Sequence, residues 1–150
     1  MHADAEGAAV VDRIRITEAA ALLGVSDDTL RRWADAGRIA VDRTGGPATV
    51  DGAALAALAS EIAAESPLAR LLPAGGTSSA RNRVTGIVTR VVRDTVMAQV
   101  ELQAGPFRFV SLMSREAADD LRLEPGVVAT ASVKATTVVI EHADARKDAR

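Results

Sequence analysis

Two short runs of residues carry groups that are suited to holding a small oxyanion. Ser79-Ala80-Arg81-Asn82 precedes a segment rich in strand-forming residues, and Lys134-Ala135-Thr136 follows it. Each run combines a hydroxyl, a cation and backbone N–H groups that small side chains leave accessible. A tetrahedral anion is bound by several short donors together with a neutralising charge. We therefore expect an anion site if the fold brings the two runs together, within one chain or between two chains.

The first half of the chain has the apolar period of helices. Thr17 is expected to cap a first helix that Gly24 ends, and Ser26 is expected to cap a second helix that ends at Gly37. Asp51 is expected to cap a third helix. The apolar residues that we expect in the core of this half are Ala19, Leu22, Val25, Leu30 and Ile39.

After Arg81 the apolar period changes to that of strands. A two-residue alternation and many β-branched residues predict five strands, and Ser114 is expected to cap one short helix among them. The predicted strands span residues 84–92, 96–103, 107–113, 127–134 and 137–141. Five short strands with one helix are typical of a small closed or nearly closed β-barrel of the oligonucleotide-binding (OB) shape. The predicted fold class of the whole chain is α+β.

Composition limits the classes of function. Only 2% of the residues are aromatic, although 48% are hydrophobic, so small apolar side chains must fill the core. Such thin cores favour burying further apolar surface in an oligomer.

The absence of cysteine excludes disulfides and thiolate metal sites, and His2 and His142 lie near the two termini. The pattern brings no acid, base and nucleophile together, so we do not expect an enzyme. No segment has the length of a membrane span and the start of the chain is acidic, which predicts a cytoplasmic protein.

The first half resembles a known family of DNA-binding domains. Residues 14–60 resemble the MerR and excisionase-like winged helix-turn-helix domains. The resemblance rests on the segments 17–26, 29–33 and 37–39 and on the two extended arms around Gly45-Gly46-Pro47 that follow them. That resemblance implies that the second helix enters the major groove of double-stranded DNA while the hairpin, or wing, contacts the DNA backbone. The residues that it assigns to DNA contact are Ser26, Asp28, Thr29, Arg31, Arg32, Arg38 and Arg43.

The charge balance of this half leaves a second interpretation open. Residues 1–51 contain six Arg and nine Asp or Glu, whereas affinity for DNA depends largely on neutralising phosphates. A local arginine patch would have to supply that charge. Arg31 and Arg32 are the candidates, because a guanidinium pairs bidentately with phosphate or guanine, and Trp33 is expected to anchor the core. A helix-turn-helix that contacts protein stays an alternative.

The second half resembles the molbindins, the Mop or TOBE domain. The resemblance covers residues 79–141 and rests on the two runs described above, Gly86, the strand 97–102, and the segments 112–114 and 123–126, all in one order. It implies that molybdate or tungstate is the ligand, held at an interface between subunits, and it implies no organic cofactor. The residues that it assigns to the anion are Ser79, Ala80, Arg81, Lys134, Ala135 and Thr136.

The resemblance also gives these residues individual roles. Ala80, Arg81 and Thr136 are expected to donate backbone N–H groups, Ser79 and Thr136 hydroxyls, and Lys134 the charge, with Arg81 as a second cation. Asn82 is expected to tie the start of its strand to a neighbouring strand.

The sequence therefore predicts five segments. They are a disordered N-terminal tail (1–13), a winged helix-turn-helix domain (14–72), a linker (73–78), an oxyanion-binding barrel (79–141) and a charged tail (142–150). The first hypothesis is a molybdate- or tungstate-sensing transcription regulator that binds a double-stranded operator as a homodimer or higher oligomer and does not contact a membrane. Its expected targets are genes for molybdate uptake or molybdenum-cofactor synthesis. The alternative is an intracellular molybdate-storage protein whose helical half does not bind DNA.

Overall fold

A computed structural model describes residues 12–71 and 77–142 of the chain. These residues form two units, which divide between Ala69 and Arg70. The first unit is built mainly from helices and the second from one antiparallel sheet, so both predicted element types occur in the predicted halves. None of the helices in the described ranges is long and apolar enough to cross a bilayer.

The first unit contains three α-helices and three short strands. Its elements are β1 (Arg13–Arg15), α1 (Ile16–Leu23), α2 (Asp27–Asp35), β2 (Val41–Asp42), β3 (Thr49–Asp51) and α3 (Gly52–Glu65). A 3-10 turn (Pro67–Leu71) contains the division between the two units. The strands pair antiparallel in the order β1-β3-β2. Strands β2 and β3 are the two arms of the predicted hairpin.

Capping explains where most of these helices begin and end. The Ser26 side chain accepts the Thr29 N–H at 3.1 Å, and Asp51 accepts the Ala54 N–H at 2.9 Å, so both predicted caps are confirmed. Gly24 ends α1 with a φ of 69°, a backbone conformation that glycine adopts without steric cost. The predicted cap at Thr17 is wrong, because α1 begins one residue earlier, at Ile16, and Thr17 lies inside its first turn.

The core of the first unit is formed by one face of each helix. Ile16, Ala19 and Ala20 of α1 pack with Leu30 of α2 and with buried residues from the hairpin and α3. The prediction that Leu22 belongs to this core is wrong, since its side chain is 70% exposed. Helix α1 buries positions that recur every three or four residues, and Leu22 falls outside that repeat.

Strand β1 was not predicted, and it shortens the predicted N-terminal tail. Arg13 pairs with Asp51 and Ile14 with Val50, so the described residues reach back further than the predicted boundary at residue 14. An ion pair between the side chains of Arg13 and Asp42 joins β1 to β2. Residues 1–11 of that tail lie outside the described residues, as do residue 72, residues 73–76 of the predicted linker and residues 143–150 of the charged tail.

The second unit is a curled, four-stranded antiparallel sheet. Its elements are β4 (Asn82–Arg93), β5 (Met97–Ala104), β6 (Phe107–Ser114), α4 (Arg115–Asp120) and β7 (Val128–Val133), and the strand order is β6-β5-β4-β7. Val88, Val100 and Leu102 on the inner face pack with Leu123, which follows α4. At Gly86 a Cβ atom would collide with the backbone oxygen of Gln103, so only glycine allows this approach of β4 to β5.

The predicted fifth strand does not form within this unit. Ala135–Thr137 is a 3-10 turn, and residues 138–142 pair with no strand in the described part of the chain. Val139 and Ile140 are 81% and 86% exposed. The sheet is therefore an open half-barrel, with β6 and β7 as its edges, rather than a closed barrel.

A charged cluster stabilises the outer face of the sheet. Glu101 is only 9% exposed; it accepts a hydrogen bond from Nε of Arg108 at 2.9 Å and forms an ion pair with Nη2 of the same residue at 2.8 Å. The hydrogen bond from Arg108, followed by the charges of Arg108 and Arg90, lowers the pKa of Glu101 from 4.5 to about 2. Because the pKa is lower in the folded state, the carboxylate stabilises the fold at neutral pH. This stabilisation is lost as the pH falls from about 4.5 to about 2.

We therefore expect Glu101→Gln to reduce stability at pH 7 but to make little difference near pH 2. Amide hydrogen exchange of β4 and β5, followed from pH 7 downwards, reports on this unit alone. Protection in the unaltered chain should fall more steeply with decreasing pH than protection in the variant. Parallel curves would show that the Glu101 cluster does not contribute to the acid sensitivity of the sheet.

Candidate functional site

The two predicted anion-binding runs lie side by side in a single chain. Strand β4 pairs antiparallel with β7, and this register places Asn82 opposite Val133. The Asn82 side-chain amide donates a hydrogen bond to the Val133 carbonyl at 3.2 Å, which confirms its predicted role as a tie between strands. Ser79–Arg81 lead into β4 and Lys134–Thr136 leave β7, so both runs lie at the same end of the sheet.

Local hydrogen bonds shape both runs. The Ala80 N–H donates to the Ser78 hydroxyl at 3.1 Å, so the first run folds back on the residue before it. In the second run, the N–H and hydroxyl groups of Thr137 both donate to the Lys134 carbonyl, at 3.0 and 2.8 Å. This single 3-10 turn sets the direction in which the chain leaves Lys134. Ser78 was not among the predicted site residues, although it is a second hydroxyl next to Ser79.

The electrostatics of this end of the sheet favour an anion. Arg81 and Lys134 are both exposed, and among the described residues neither forms an ion pair with an acidic side chain. Their charges are therefore available to a ligand. The described residues contain no group of His, Cys, Asp and Glu that could hold a metal ion directly. Cations, hydroxyls and amides together are donors for an oxyanion and not ligands for a bare cation.

Ser114 lies at the opposite end of the sheet from these runs. It pairs with Met97 at the start of β5, beyond the point where β4 ends. Its hydroxyl accepts the Ala117 N–H at 3.1 Å, so the predicted helix cap is confirmed. Within one chain Ser114 is therefore remote from the candidate anion ligands.

The second candidate surface is the exposed side of α2. Asp28 and Arg32, one helical turn apart, form an ion pair of 3.4 Å between Oδ2 and Nε. The Thr29 hydroxyl lies 3.3 Å from Nη2 of Arg32 and 2.9 Å from the Ser26 hydroxyl. Arg31 is exposed beside this network. These five predicted DNA-contacting residues thus share one element.

The other two predicted DNA-contacting residues have acidic partners. Arg38 lies 4.6 Å from the centre of the Trp33 ring and pairs with Glu61 of α3 at 2.9 Å. Its side chain is only 28% exposed, so these contacts join α2 to α3. Arg43 lies 3.9 Å from Asp35 at the end of α2. Trp33 itself packs against the core of the unit, as predicted.

Comparisons with known proteins agree with these two units. Residues 14–62 match the helix-turn-helix domain family, and residues 78–140 match the TOBE domain family. The chain therefore contains a helix-turn-helix domain followed by a TOBE domain. Both are non-enzymatic regulatory or binding domains. A comparison with curated proteins finds no significant match.

Three solved structures show the relatives of the second unit. A molybdate-binding protein from Sporomusa ovata is 31% identical, with 45% of this chain and 100% of that protein covered and a TM-score of 0.43. MopII from Clostridium pasteurianum is 33% identical, with 44% and 100% covered and a TM-score of 0.41. The cytoplasmic molybdate-binding protein ModG, with molybdate bound, is 37% identical, with 41% and 44% covered and a TM-score of 0.39.

Proposed function

We propose that this protein is a cytoplasmic transcription regulator that senses molybdate or tungstate and binds double-stranded operator DNA. The observation that carries the proposal is the adjacency of the Ser79 and Lys134 runs in a chain that also contains a helix-turn-helix domain. The proposed targets are genes for molybdate uptake or molybdenum-cofactor synthesis. Two of the relatives, at 31% and 37% identity, are described as molybdate-binding, which supports this choice of anion.

In the proposed site, each group has a role that its chemistry supports. Lys134 and Arg81 neutralise the dianion, while Ser79 and Thr136 donate hydroxyl hydrogens. Backbone N–H groups of Ala80, Arg81 and Thr136 complete the set, with Ala135 as the small residue that keeps the second run open. For the Ala80 amide to bind the anion, its present hydrogen bond to Ser78 must be exchanged for one to the ligand. Such charge-assisted bonds are roughly twice as strong as neutral ones.

Selection against sulfate follows from the size of the site. Molybdate and sulfate carry the same charge, so the discrimination must come from the positions of the donors. Donors set for the longer metal–oxygen bonds leave a bound sulfate with incomplete hydrogen bonding, and unsatisfied donors are costly. Tungstate is nearly the same size as molybdate, and we propose that the site accepts both.

The open half-barrel supports self-association as part of the function. Its inner face forms an apolar groove of about 330 Å³, lined by residues of all four strands such as Val88, Phe109 and Val133. The same chain carries Val138–Ile140, an exposed apolar segment with strand-forming residues. We propose that residues 137–141 of a second copy cover this groove, which would place the anion site beside a subunit interface.

Val139→Asp combined with Ile140→Asp should therefore produce a monomer. Two carboxylates would have to be buried in an apolar groove, which is strongly unfavourable. Sedimentation velocity measures the assembly directly, and Leu22→Asp is a control that places a charge on an exposed leucine of the other unit. A monomeric unaltered chain, or an unchanged assembly in the double variant, would contradict this interface.

Binding of the anion regulates DNA binding only if it favours one arrangement of the assembled chains. Electrophoretic mobility shifts at physiological salt, with a library of genomic fragments and with or without molybdate, test this coupling. A retarded fragment whose affinity changes with molybdate supports the regulator.

The acidic residues beside Arg32, Arg38 and Arg43 favour storage as a second candidate function. Tight anion binding measured by calorimetry without any retarded fragment would support that alternative.

A further inference from the structure

The side of α2 that faces away from the core carries an acidic and a basic residue together. Asp28 and Arg32 have side chains that are 84% and 70% exposed, whereas Leu30, on the opposite side of the helix, is completely buried. In a helix that lies in the major groove, residues on this outermost stripe are nearest to the base edges. This places Asp28 and Arg32 among the α2 residues that are available for base contact, together with Arg31 and with Asp35, whose side chain is 73% exposed.

Contacts within α2 hold the guanidinium of Arg32 in a defined orientation. Asp28 contacts it through Nε and Thr29 through Nη2, and Thr29 is in turn fixed by the capping residue Ser26. A side chain held by two contacts loses less conformational freedom on binding. Arg31 has no hydrogen-bond or ion-pair partner among the residues that the structure describes, which suits contact with a phosphate, where geometry matters less.

The negative charge of Asp28 opposes DNA binding unless a base donates a hydrogen bond to it. A carboxylate on a DNA-facing surface is repelled by the phosphates on both sides of the groove. In the major groove, the cytosine amino group is the donor that an aspartate accepts most readily, and the guanine edge offers two acceptors to an arginine. A guanine or thymine at this position offers the carboxylate only acceptors or a methyl group, so such a site is rejected.

We propose that Asp28 and Arg32 act as one base-reading pair, with Arg32 on a guanine and Asp28 on a neighbouring cytosine, while Arg31 contacts a phosphate. This inference rests on the proposed function of DNA binding. It assigns specificity to the pair and non-specific affinity to Arg31. The operator half-site is then expected to contain a guanine and a cytosine at adjacent or nearly adjacent positions.

Selection from a randomised duplex library with the full chain tests the assignment. The unaltered chain should enrich a motif with the guanine and the cytosine. Arg32→Lys, which keeps the charge, should lower the preference for that guanine by at least about fivefold, and Asp28→Asn should shift the cytosine towards adenine. Arg31→Ala should keep the motif, weaken binding to all sequences alike and reduce the salt dependence by about one phosphate contact.

Two results would overturn the inference in distinguishable ways. If the unaltered chain enriches a motif that Arg32→Lys and Asp28→Asn enrich unchanged, the protein binds DNA but this pair does not read it. If the unaltered chain enriches no sequence while the anion still binds in calorimetry, the proposal of specific DNA binding fails, and this inference fails with it.

Discussion

Replacing Lys134 with alanine is expected to weaken molybdate binding by at least about tenfold. The side chain is exposed at the end of β7, beside the run that leads into β4, and no acidic residue in the described part of the chain neutralises it. A hydrogen bond from a charged donor contributes about 1.5–3 kcal/mol, which corresponds to a factor of ten or more in the dissociation constant. Isothermal titration calorimetry with molybdate measures this loss.

Two variants make the Lys134 experiment specific. Lys134→Arg keeps the charge and should recover part of the affinity, while Lys147→Ala removes the same charge from outside the TOBE match and should change little. The unaltered chain should bind tungstate with similar affinity and sulfate far more weakly. Equal affinities of Lys134→Ala and the unaltered chain would remove Lys134 from the site.

The sequence alone predicts the residue types of the candidate anion site but not how these residues are arranged. The residue types of the Ser79 and Lys134 runs indicate an oxyanion-binding site from the sequence alone. Their adjacency could not be derived from those runs, because it depends on the pairing of β4 with β7. Strand pairing over so long a separation is set by the packing of the whole sheet, and local propensity does not determine it.

The prediction of a fifth strand was wrong for the same reason, because local composition does not determine strand pairing. Residues 137–141 have the β-branched composition of a strand, and that composition says nothing about which sheet the segment joins. In the helical unit, the predicted contacts of Arg38 with DNA depended on its position after α2. That contact stays a prediction. The structure shows that Arg38 also contacts Trp33 of α2 and Glu61 of α3, and no local sequence pattern contains these contacts between two helices.

The proposed DNA-binding surface on α2 contains few positive charges. Arg13, Arg38 and Arg43 each lie beside an acidic residue of the same unit, so their charges are partly neutralised before DNA arrives. Arg32 also has an acidic neighbour, Asp28, but both side chains are highly exposed, so water screens the attraction between them and the guanidinium stays accessible to a ligand. Arg31 and Arg32 thus supply most of the charge available to a duplex on α2.

Arg31→Ala combined with Arg32→Ala is accordingly expected to abolish retardation of operator DNA while leaving molybdate affinity unchanged. Loss of a phosphate contact and of a bidentate guanine contact removes both the non-specific and the specific terms of binding. Mobility shifts and calorimetry on the same sample separate the two activities. Arg70→Ala with Arg115→Ala removes equal charge outside the helix-turn-helix match, so it controls for net charge. Retardation that persists in the Arg31 and Arg32 variant would move the DNA-binding surface away from α2, since no other element of this unit presents two arginines in succession.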